Sequence, residues 1–166
     1  MPYIALRHRG GRAALGLVDG QRTAKCLREA LCGVCAQRPA DRMAFLMRSA
    51  DLARACSVEP ALCPPCADYT LQACPMIGGF MARYRGSVNP AAAWRCGDKR
   101  CRCRQWAVPD TGAARLGAPA DRWWALWTTQ YRLTRDPDGR LAAGFSGLRM
   151  LSLEEVTPGA GPEAGH

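Results

Sequence analysis

Two Cys-x-x-Cys pairs, separated by 27 residues, constrain the fold of this chain more than any other feature. The pairs are Cys32–Cys35 and Cys63–Cys66. Two intervening residues let both sulfurs of a pair reach one ion at about 2.3 Å, and four thiolates match the closed tetrahedral site of structural zinc. We therefore expect a metal-organised fold with a structural ion. Redox-active or free thiols, and an iron–sulfur cluster, are the alternatives.

Three further cysteines, Cys96, Cys101 and Cys103, lie on one short basic stretch and predict a possible second metal site. Three thiolates need a fourth ligand to complete a tetrahedron. We favour Cys74, because it falls at the far end of a helix predicted to begin at the second Cys pair. Incidental reduced cysteines and a Cu(I) site are the other interpretations. The remaining candidates for the fourth ligand are Cys26, Cys56 and His8.

The ten cysteines also bear on the cellular compartment. The N-terminal residues 1–9 become charged too soon for the apolar core of a secretory signal. No apolar run approaches the roughly 20 residues that a membrane span needs. In a reducing compartment, Cys pairs bind metal or do redox chemistry more often than they form disulfides. We expect a cytoplasmic protein without a membrane-bound part.

The formal net charge of +9 indicates an acidic partner, such as nucleic acid, an acidic protein face or an anionic metabolite. Arginine supplies 21 of the 23 basic residues. With abundant Ala, Gly and Pro, this bias is typical of a GC-rich genome, so the preference for arginine says little about recognition. The sign of the charge is more informative, although solubility alone also accounts for an excess spread over the whole chain.

A contact with nucleic acid is best placed on the stretch that carries the second set of cysteines. Guanidinium groups pair with phosphates, and an indole can stack on an unpaired base. Trp94 and Trp106 bracket the stretch. Neutralisation of a negatively charged cysteine site is the alternative role for these cations. The candidate contact residues are Arg83, Arg85, Arg95, Lys99, Arg100, Arg102 and Arg104.

The sequence pattern predicts an α+β fold. Gly10-Gly11 favours a tight reversal in an N-terminal hairpin over Pro2–Val18. Thr23 can cap a short helix that leads to the first Cys pair. The apolar run Met43–Met47 fits a buried strand or the start of a helix running to Ala55, and we favour a strand followed by a short helix. Pro64 and Pro65 suit the first turn of a helix that contains Cys66 and runs to about Ala73.

A C-terminal β-hairpin is predicted over 122–153, with its turn at the Asp-Pro-Asp-Gly sequence of residues 136–139. We assign residues 1–156 to a single zinc-stabilised domain whose metal core spans 23–104, and 157–166 to a disordered tail. Along the first strand of the hairpin, Trp123 and Trp127 face one way and Trp124 the other. These three indoles are candidate interface residues, although such clusters more often belong to a core.

The residue patterns of common enzymes are missing, and we assign no catalytic residue. The chain has two histidines, His8 and the terminal His166, so a Ser-His-Asp or Cys-His arrangement could use only His8. Neither a Gly-x-x-x-x-Gly-Lys phosphate loop nor a Gly-x-Gly-x-x-Gly motif occurs. The zinc-deaminase pattern needs a His-x-Glu sequence that this chain lacks. The sequence leans away from an enzyme without deciding the question.

The segment from Cys32 to Ile77 resembles uncharacterised cysteine-rich, treble-clef-like zinc-binding proteins of high-GC bacteria and their mobile elements. The likeness rests on the two Cys pairs, the apolar Phe45–Met47 run, Ser49-x-Asp51-Leu52, and the sequence Cys66-Ala67-x-Tyr69-x4-Cys74-Pro75-Met76. In that group a histidine often occupies the position of Cys63, and either residue ligates zinc. The resemblance covers under a third of the chain and implies a metal core but no reaction.

The leading functional hypothesis is a zinc-binding accessory protein that presents a basic surface to nucleic acid or an acidic partner, with one zinc ion expected and two possible. One alternative is an adaptor, or a subunit of an enzyme complex, that uses the C-terminal tryptophans. Another is a thiol-based enzyme or metal-transfer protein that uses Cys96, Cys101 and Cys103.

Overall fold

The computed structural model describes residues 1–84, 95–105 and 117–157. Within these ranges helices alternate with small antiparallel sheets, so the α+β prediction is confirmed. Apart from Thr157, the tail predicted for 157–166 lies outside the described residues. The helices are α1 (Gly20–Glu29), α2 (Ser49–Ala53) and α3 (Pro64–Ala73), with a 3₁₀ turn at Arg102–Gln105. The strands are β1 (Ala5–Arg7), β2 (Ala13–Val18), β3 (Met43–Arg48), β4 (Cys56–Ser57), β5 (Trp123–Thr128), β6 (Arg132–Arg135), β7 (Leu141–Gly144) and β8 (Ser152–Glu155).

The structural centre is the antiparallel sheet β3-β5-β8, in which β5 is the middle strand. Strand β3 pairs with β5 over six consecutive residues, from Met43 opposite Thr128 to Arg48 opposite Trp123. Five of the six β3 residues are buried, because both faces of the strand are covered. A strand buried on both faces has a continuous apolar sequence instead of an alternating one. The predictions of a buried strand and a short helix after it are confirmed.

Strand β3 separates two hydrophobic clusters. Phe45 points into the first cluster, where its ring meets Tyr131 and Phe145 edge to face at centroid distances of 5.4 and 4.9 Å. Ala44 and Leu46 point into the second cluster, as the alternation of a strand requires. The second cluster also includes Cys32 and is contacted by Cys63 and Cys66. One face of the sheet therefore supports the two Cys-x-x-Cys pairs.

The predicted C-terminal hairpin over 122–153 is divided between two sheets. The aromatic strand β5 pairs with β3 and β8, whereas the turn at 136–139 joins β6 to β7 in a separate sheet of order β4-β7-β6. The turn itself is as predicted, with Gly139 at a φ of +79°. The aromatic strand pairs elsewhere because β3, about 80 residues earlier, offers an equally apolar partner in full register. A local turn pattern carries no information about that distant pairing.

Strands β1 and β2 form a two-stranded antiparallel sheet near the first Cys pair. The backbone N–H groups of Tyr3 and Ile4 donate to the carbonyls of Val34 and Gly33, at 2.9 and 3.1 Å. Gly33 is required there, since a Cβ atom would lie 2.8 Å from the Pro60 side chain. The N-terminal segment is thereby fixed to the loop between Cys32 and Cys35.

Helix α1 begins after Asp19, not at Thr23 as the sequence predicted. The Asp19 carboxylate accepts from the backbone N–H groups of Gln21 and Arg22, at 3.0 and 3.1 Å. The Thr23 hydroxyl donates instead to the Asp19 carbonyl. Both residues favour helix starts, and the aspartate lies closer to the turn that ends β2.

Candidate metal centres

The cysteines of the two Cys-x-x-Cys pairs come together in one set of four side chains, here called the four-cysteine group. Its sulfur atoms all lie within 4.8 Å of one another, and those of Cys35 and Cys63 are 3.7 Å apart. Two sulfurs bound at about 2.3 Å to one tetrahedral ion lie about 3.8 Å apart. The donor set and its spacing therefore fit a metal ion with four thiolate ligands. The members of the group are Cys32, Cys35, Cys63 and Cys66.

Helix α3 positions the second pair of the four-cysteine group. Cys63 is the N-cap residue of this helix, with an extended backbone, and the two prolines follow it in the first turn. Proline suits that position because its ring presets the helical φ and its missing N–H has no partner to lose. Cys66 then lies in the first turn, and the helix ends at Ala73, as predicted. The partial positive charge of a helix N-terminus favours thiolates there.

The thiols of the four-cysteine group differ in acidity. Burial alone would raise the pKa of Cys32, but backbone hydrogen bonds from Cys35, Cys63 and Val34 outweigh it and lower the pKa. The Val34 N–H donates to the Cys32 sulfur, with the nitrogen 3.4 Å away. Burial raises the pKa of Cys66, and the neighbouring thiols add to the effect. Four thiolates packed this closely repel one another, so a bound cation is what would hold them all ionised.

A second set of potential ligands consists of one histidine and three cysteines, here called the mixed group. Its ligand atoms also lie within 4.8 Å of one another. The sulfurs of Cys96 and Cys103 are 3.7 Å apart, and the Cys101 sulfur lies 3.7 Å from His8 Nδ1. One imidazole and three thiolates form a common ligand set for structural zinc. The members are His8, Cys96, Cys101 and Cys103.

The structure places His8, and not the favoured Cys74, with the three cysteines. Cys74 is the C-cap residue of α3 and packs beside the second hydrophobic cluster. Among the described residues it belongs to neither metal-ligand group. The sequence named His8 as a candidate but gave no reason to prefer it. Its role depends on a contact between residues 93 positions apart.

The two groups have different surroundings. Cys101 and Cys103 are each only 5% exposed and His8 8% exposed, yet neither hydrophobic cluster of the described residues includes them. His8 lies in the turn between β1 and β2, and the two cysteines lie on the loop around residues 96–103. Two backbone N–H groups point at the sulfurs: that of Arg9 at Cys101, and that of Cys96 at Cys103, both at 3.4 Å. Amide donors of this kind stabilise bound thiolates.

The pKa values of Cys101 and Cys96 are shifted in opposite directions. Hydrogen bonds from the backbone of Arg9 and Cys103, assisted by the His8 side chain, lower its pKa to about 6. Burial and the neighbouring thiols raise the pKa of Cys96. One of the three sulfurs is therefore ready to ligate a metal ion at neutral pH, and the ion would stabilise the ionised form of the others.

Exposed cations surround the mixed group on both contributing segments. The loop carries Arg95, Lys99, Arg100 and Arg102, all exposed, with Asp98 as the one acidic residue between them. Asp98 accepts from the Arg100 backbone N–H at 2.8 Å and lies 3.9 Å from the Arg9 guanidinium. A zinc ion with three thiolates and a neutral imidazole carries a net charge of about −1. The cations exceed what is needed to neutralise it.

The other residues predicted to contact nucleic acid lie outside the part of this loop whose side chains are described. Arg83 is exposed and donates to the Gly117 carbonyl at 3.0 Å, next to its bridge with Pro119. Arg85, Trp94 and Trp106 lie outside the described residues, and for Arg104 only the backbone is described.

The three tryptophans of β5 are half-buried in the sheet. Trp123 and Trp127 pack on the second hydrophobic cluster, and Arg42 lies over the Trp127 ring at 4.8 Å. Trp124 faces the opposite side, where its Nε1 donates to the Ser49 hydroxyl at 3.2 Å. The predicted alternation is confirmed, and these contacts indicate a structural role for the indoles.

Comparisons with protein-family models, curated proteins and solved structures found no match for this chain. None of the helices in the described ranges is long and apolar enough to cross a membrane. What the chain does must therefore be inferred from its own residues.

Proposed function

We propose that this protein is a cytosolic zinc-binding accessory protein that presents a basic surface to nucleic acid. The observation that carries the proposal is the loop of the mixed group, on which four exposed cations accompany three buried or half-buried cysteines. Neither hydrophobic cluster of the described residues includes these cysteines, so metal binding is a physical reason for the loop to adopt one structure. Its ordered cations would then be available for phosphates.

Zinc is proposed over iron–sulfur because both groups fit one tetrahedral ion, and one of them contains a histidine. The cytosolic location is supported by the ten cysteines, all of which are free thiols. The arrangement around the four-cysteine group supports the treble-clef-like interpretation as well. The first pair is followed by β3, whose Ala44 pairs with Leu62, and the second pair then begins α3.

Binding to a short DNA oligonucleotide, measured by fluorescence anisotropy over a series of salt concentrations, tests the nucleic-acid hypothesis. We expect affinity to fall steeply with salt, since each phosphate contact adds about 0.9 to the logarithmic slope on duplex DNA. Reversing two loop charges, with Arg100→Glu and Arg102→Glu, should weaken binding by at least about tenfold. The matched control Arg149→Glu reverses the charge of another exposed arginine far from the loop in sequence and should change binding little. Absence of binding at low salt would overturn the proposal.

A basic groove supports a second candidate function, binding of an acidic protein segment. A cleft of about 490 Å³ lies on the β4-β7-β6 sheet and is lined by Arg54, Arg132 and Arg135. Asp136 also lines it, but its carboxylate is occupied by Arg140 at 2.5 Å. Strand β6 is an edge of its sheet within the described residues, and such an edge can pair with an extended peptide.

A glutamate-rich peptide distinguishes the two candidates. Under the second hypothesis it binds the wild type, and Arg132→Glu abolishes binding while Arg100→Glu leaves it unchanged. Under the nucleic-acid hypothesis, Arg100→Glu weakens the binding of DNA more than Arg132→Glu does. A peptide that fails to bind at low salt removes the second candidate.

A further inference from the structure

The mixed group joins two basic segments that are far apart in sequence. His8 lies in the turn between β1 and β2, whose neighbours Arg7, Arg9 and Arg12 are all exposed. The three cysteines belong to the loop that carries the other four cations. The ligand atoms of the group, a contact from the Arg9 N–H and one ion pair connect the segments.

We propose that one zinc ion bound by the mixed group fastens the N-terminal basic turn to the arginine-rich loop, so that both form one metal-dependent surface for the phosphate backbone of nucleic acid. This inference rests on the proposed function and adds a regulatory element to it. Loss of the second ion would separate the two halves of the surface without removing any of its charges.

The described contacts between the two segments that need no metal ion include one exposed ion pair and two contacts of the Cys101 sulfur. The ion pair between Arg9 and Asp98 is 3.9 Å long, with side chains 55% and 43% exposed. Exposed pairs of this kind contribute little, and salt screens them. The Cys101 sulfur also contacts the Arg9 N–H at 3.4 Å and His8 Nδ1 at 3.7 Å, and both contacts use a ligand atom of the mixed group. A metal ion with ligands on both segments would add four coordinate bonds to these contacts and so fix the relative position of the segments.

The N-terminal turn is anchored on its other side as well. Tyr3 and Ile4, just before β1, are hydrogen-bonded to the loop of the four-cysteine group. Strand β1 therefore runs from one group to the other, with His8 immediately after its last residue. The second ion would dock a turn that is already tethered at its base, which limits the chain entropy lost on binding.

The number of cations on the two segments indicates whether the ion would be purely structural or would also help to form a binding surface. Seven cations and a single carboxylate lie on the two segments, whereas the occupied site has a net charge of about −1. A structural site needs one or two compensating cations, and the rest repel one another unless an anion lies across them. A polyanion contacts both segments at once and is therefore the ligand class that this surplus fits. The cations are Arg7, Arg9, Arg12, Arg95, Lys99, Arg100 and Arg102.

Native mass spectrometry under reducing conditions, combined with DNA binding over a salt series, tests this inference. The wild type should hold two zinc ions, and His8→Ala one, with affinity reduced on the order of 10- to 100-fold and a logarithmic salt slope smaller by about 2–3. His8→Cys, which restores a fourth ligand, should recover both ions and the affinity. Cys101→Ser removes a ligand from the other segment and should reproduce the loss, which covers the case in which His8→Ala does not fold.

A variant that removes cations but keeps all metal ligands distinguishes the effect of the metal ion from the effect of the surface charges. Replacing Arg7, Arg9 and Arg12 together by glutamine should keep both ions and still reduce the salt slope by about 2–3. Two ions retained in His8→Ala would overturn the metal site. One ion lost with affinity and slope unchanged would overturn the composite surface. If the wild type binds no DNA, the proposed function fails, while faster hydrogen exchange at residues 9–12 in His8→Ala would still establish the metal-dependent attachment.

Discussion

The four-cysteine group and the mixed group use similar ligands but are built into the molecule differently. The first lies against the second hydrophobic cluster, with Cys32 inside that cluster and the second pair at the start of α3. The mixed group lies outside both clusters of the described residues, on a turn, a loop and a 3₁₀ turn. In the four-cysteine group, the start of α3 holds the second pair, and Cys32 of the first pair is packed in the cluster. In the mixed group, a bound metal ion would connect ligands from a turn and a loop that are far apart in sequence.

Under the proposed function, the ion of the four-cysteine group would complete the fold, and the ion of the mixed group would connect two parts of a surface. Loss of the first ion leaves four crowded thiols against the central sheet, so we expect global destabilisation. Loss of the second leaves the sheets and α3 with all their contacts, so we expect only local release. Removing ligands, metal or side-chain contacts from each region in turn tests that contrast.

The largest effect is expected for Cys66→Ser, which removes a ligand from the four-cysteine group. The apparent binding energy of a structural zinc site is about 10–16 kcal/mol, and the stability of a whole domain is about 5–15 kcal/mol. We therefore expect loss of the first ion together with loss of cooperative thermal unfolding, measured by native mass spectrometry and circular dichroism. Cys74→Ser, at the other end of α3, is the matched control and should keep both ions. If Cys74→Ser lost a metal ion, Cys74 would be a metal ligand after all.

A smaller but still large effect is expected in the first hydrophobic cluster, away from both metal groups. Phe45 is fully buried between Tyr131 and Phe145, so Phe45→Ala should reduce the unfolding free energy by about 3–5 kcal/mol. The metal content of the folded fraction should stay at the wild-type value. Phe80→Ala changes a side chain that is 71% exposed and should cost far less. The unfolding free energies are measured by denaturant titration. An equal decrease in Phe45→Ala and Phe80→Ala would contradict the assignment of Phe45 to the core.

The two groups also show which parts of the fold can be predicted from the sequence. The four-cysteine group was predictable because each pair is local and because Pro64 and Pro65 mark the helix start beside the second pair. Strand β3 was predictable from its continuous apolar run. The partner of β3, and the ligand supplied by His8, depend on contacts across about 80 and 93 residues. Local patterns contain no information on such contacts, so the tryptophan strand and the fourth ligand were assigned to nearer partners.

An intermediate effect is expected when a chelator removes metal from the wild type. The ion of the mixed group should leave first, since its ligands lie on loops that can separate, while the four-cysteine group is held by packed elements. A chromogenic chelator should show two phases of release, and far-UV circular dichroism should change only in the second. Addition of DNA should slow the first phase and leave the second unchanged. Release of both ions in one phase would remove the contrast between the groups.

The smallest effect is expected at the turn between β6 and β7, which side-chain charges stabilise without any metal ligand. Asp136 accepts from the backbone N–H groups of Asp138 and Arg140, at 3.1 and 2.8 Å, and from the Arg140 guanidinium. Its side chain is only 2% exposed. Asp136→Asn should reduce the unfolding free energy by about 1–3 kcal/mol, since buried donors lose a charged acceptor. The control is Asp138→Asn. The Asp138 side chain pairs with the same arginine, Arg140, but is 66% exposed, so its loss should reduce the unfolding free energy by less than about 1 kcal/mol.

The pH dependence of that difference follows from the acidity of Asp136. Burial alone would raise the pKa of this carboxyl, but the hydrogen bonds and charge of Arg140 outweigh burial and hold the pKa below its ordinary value of 3.8. The unfolded chain therefore binds the proton more readily, and stability from this group is complete at neutral pH and lost as the pH falls through 3.8 and below. The free-energy gap between wild type and Asp136→Asn, from denaturant titrations, should stay constant down to about pH 5 and then close. If the free-energy gap widened on acidification, burial and not Arg140 would determine the pKa of the Asp136 carboxyl. The ion pair with Arg140 would then not stabilise this turn, and the contrast with the metal-dependent regions would be lost.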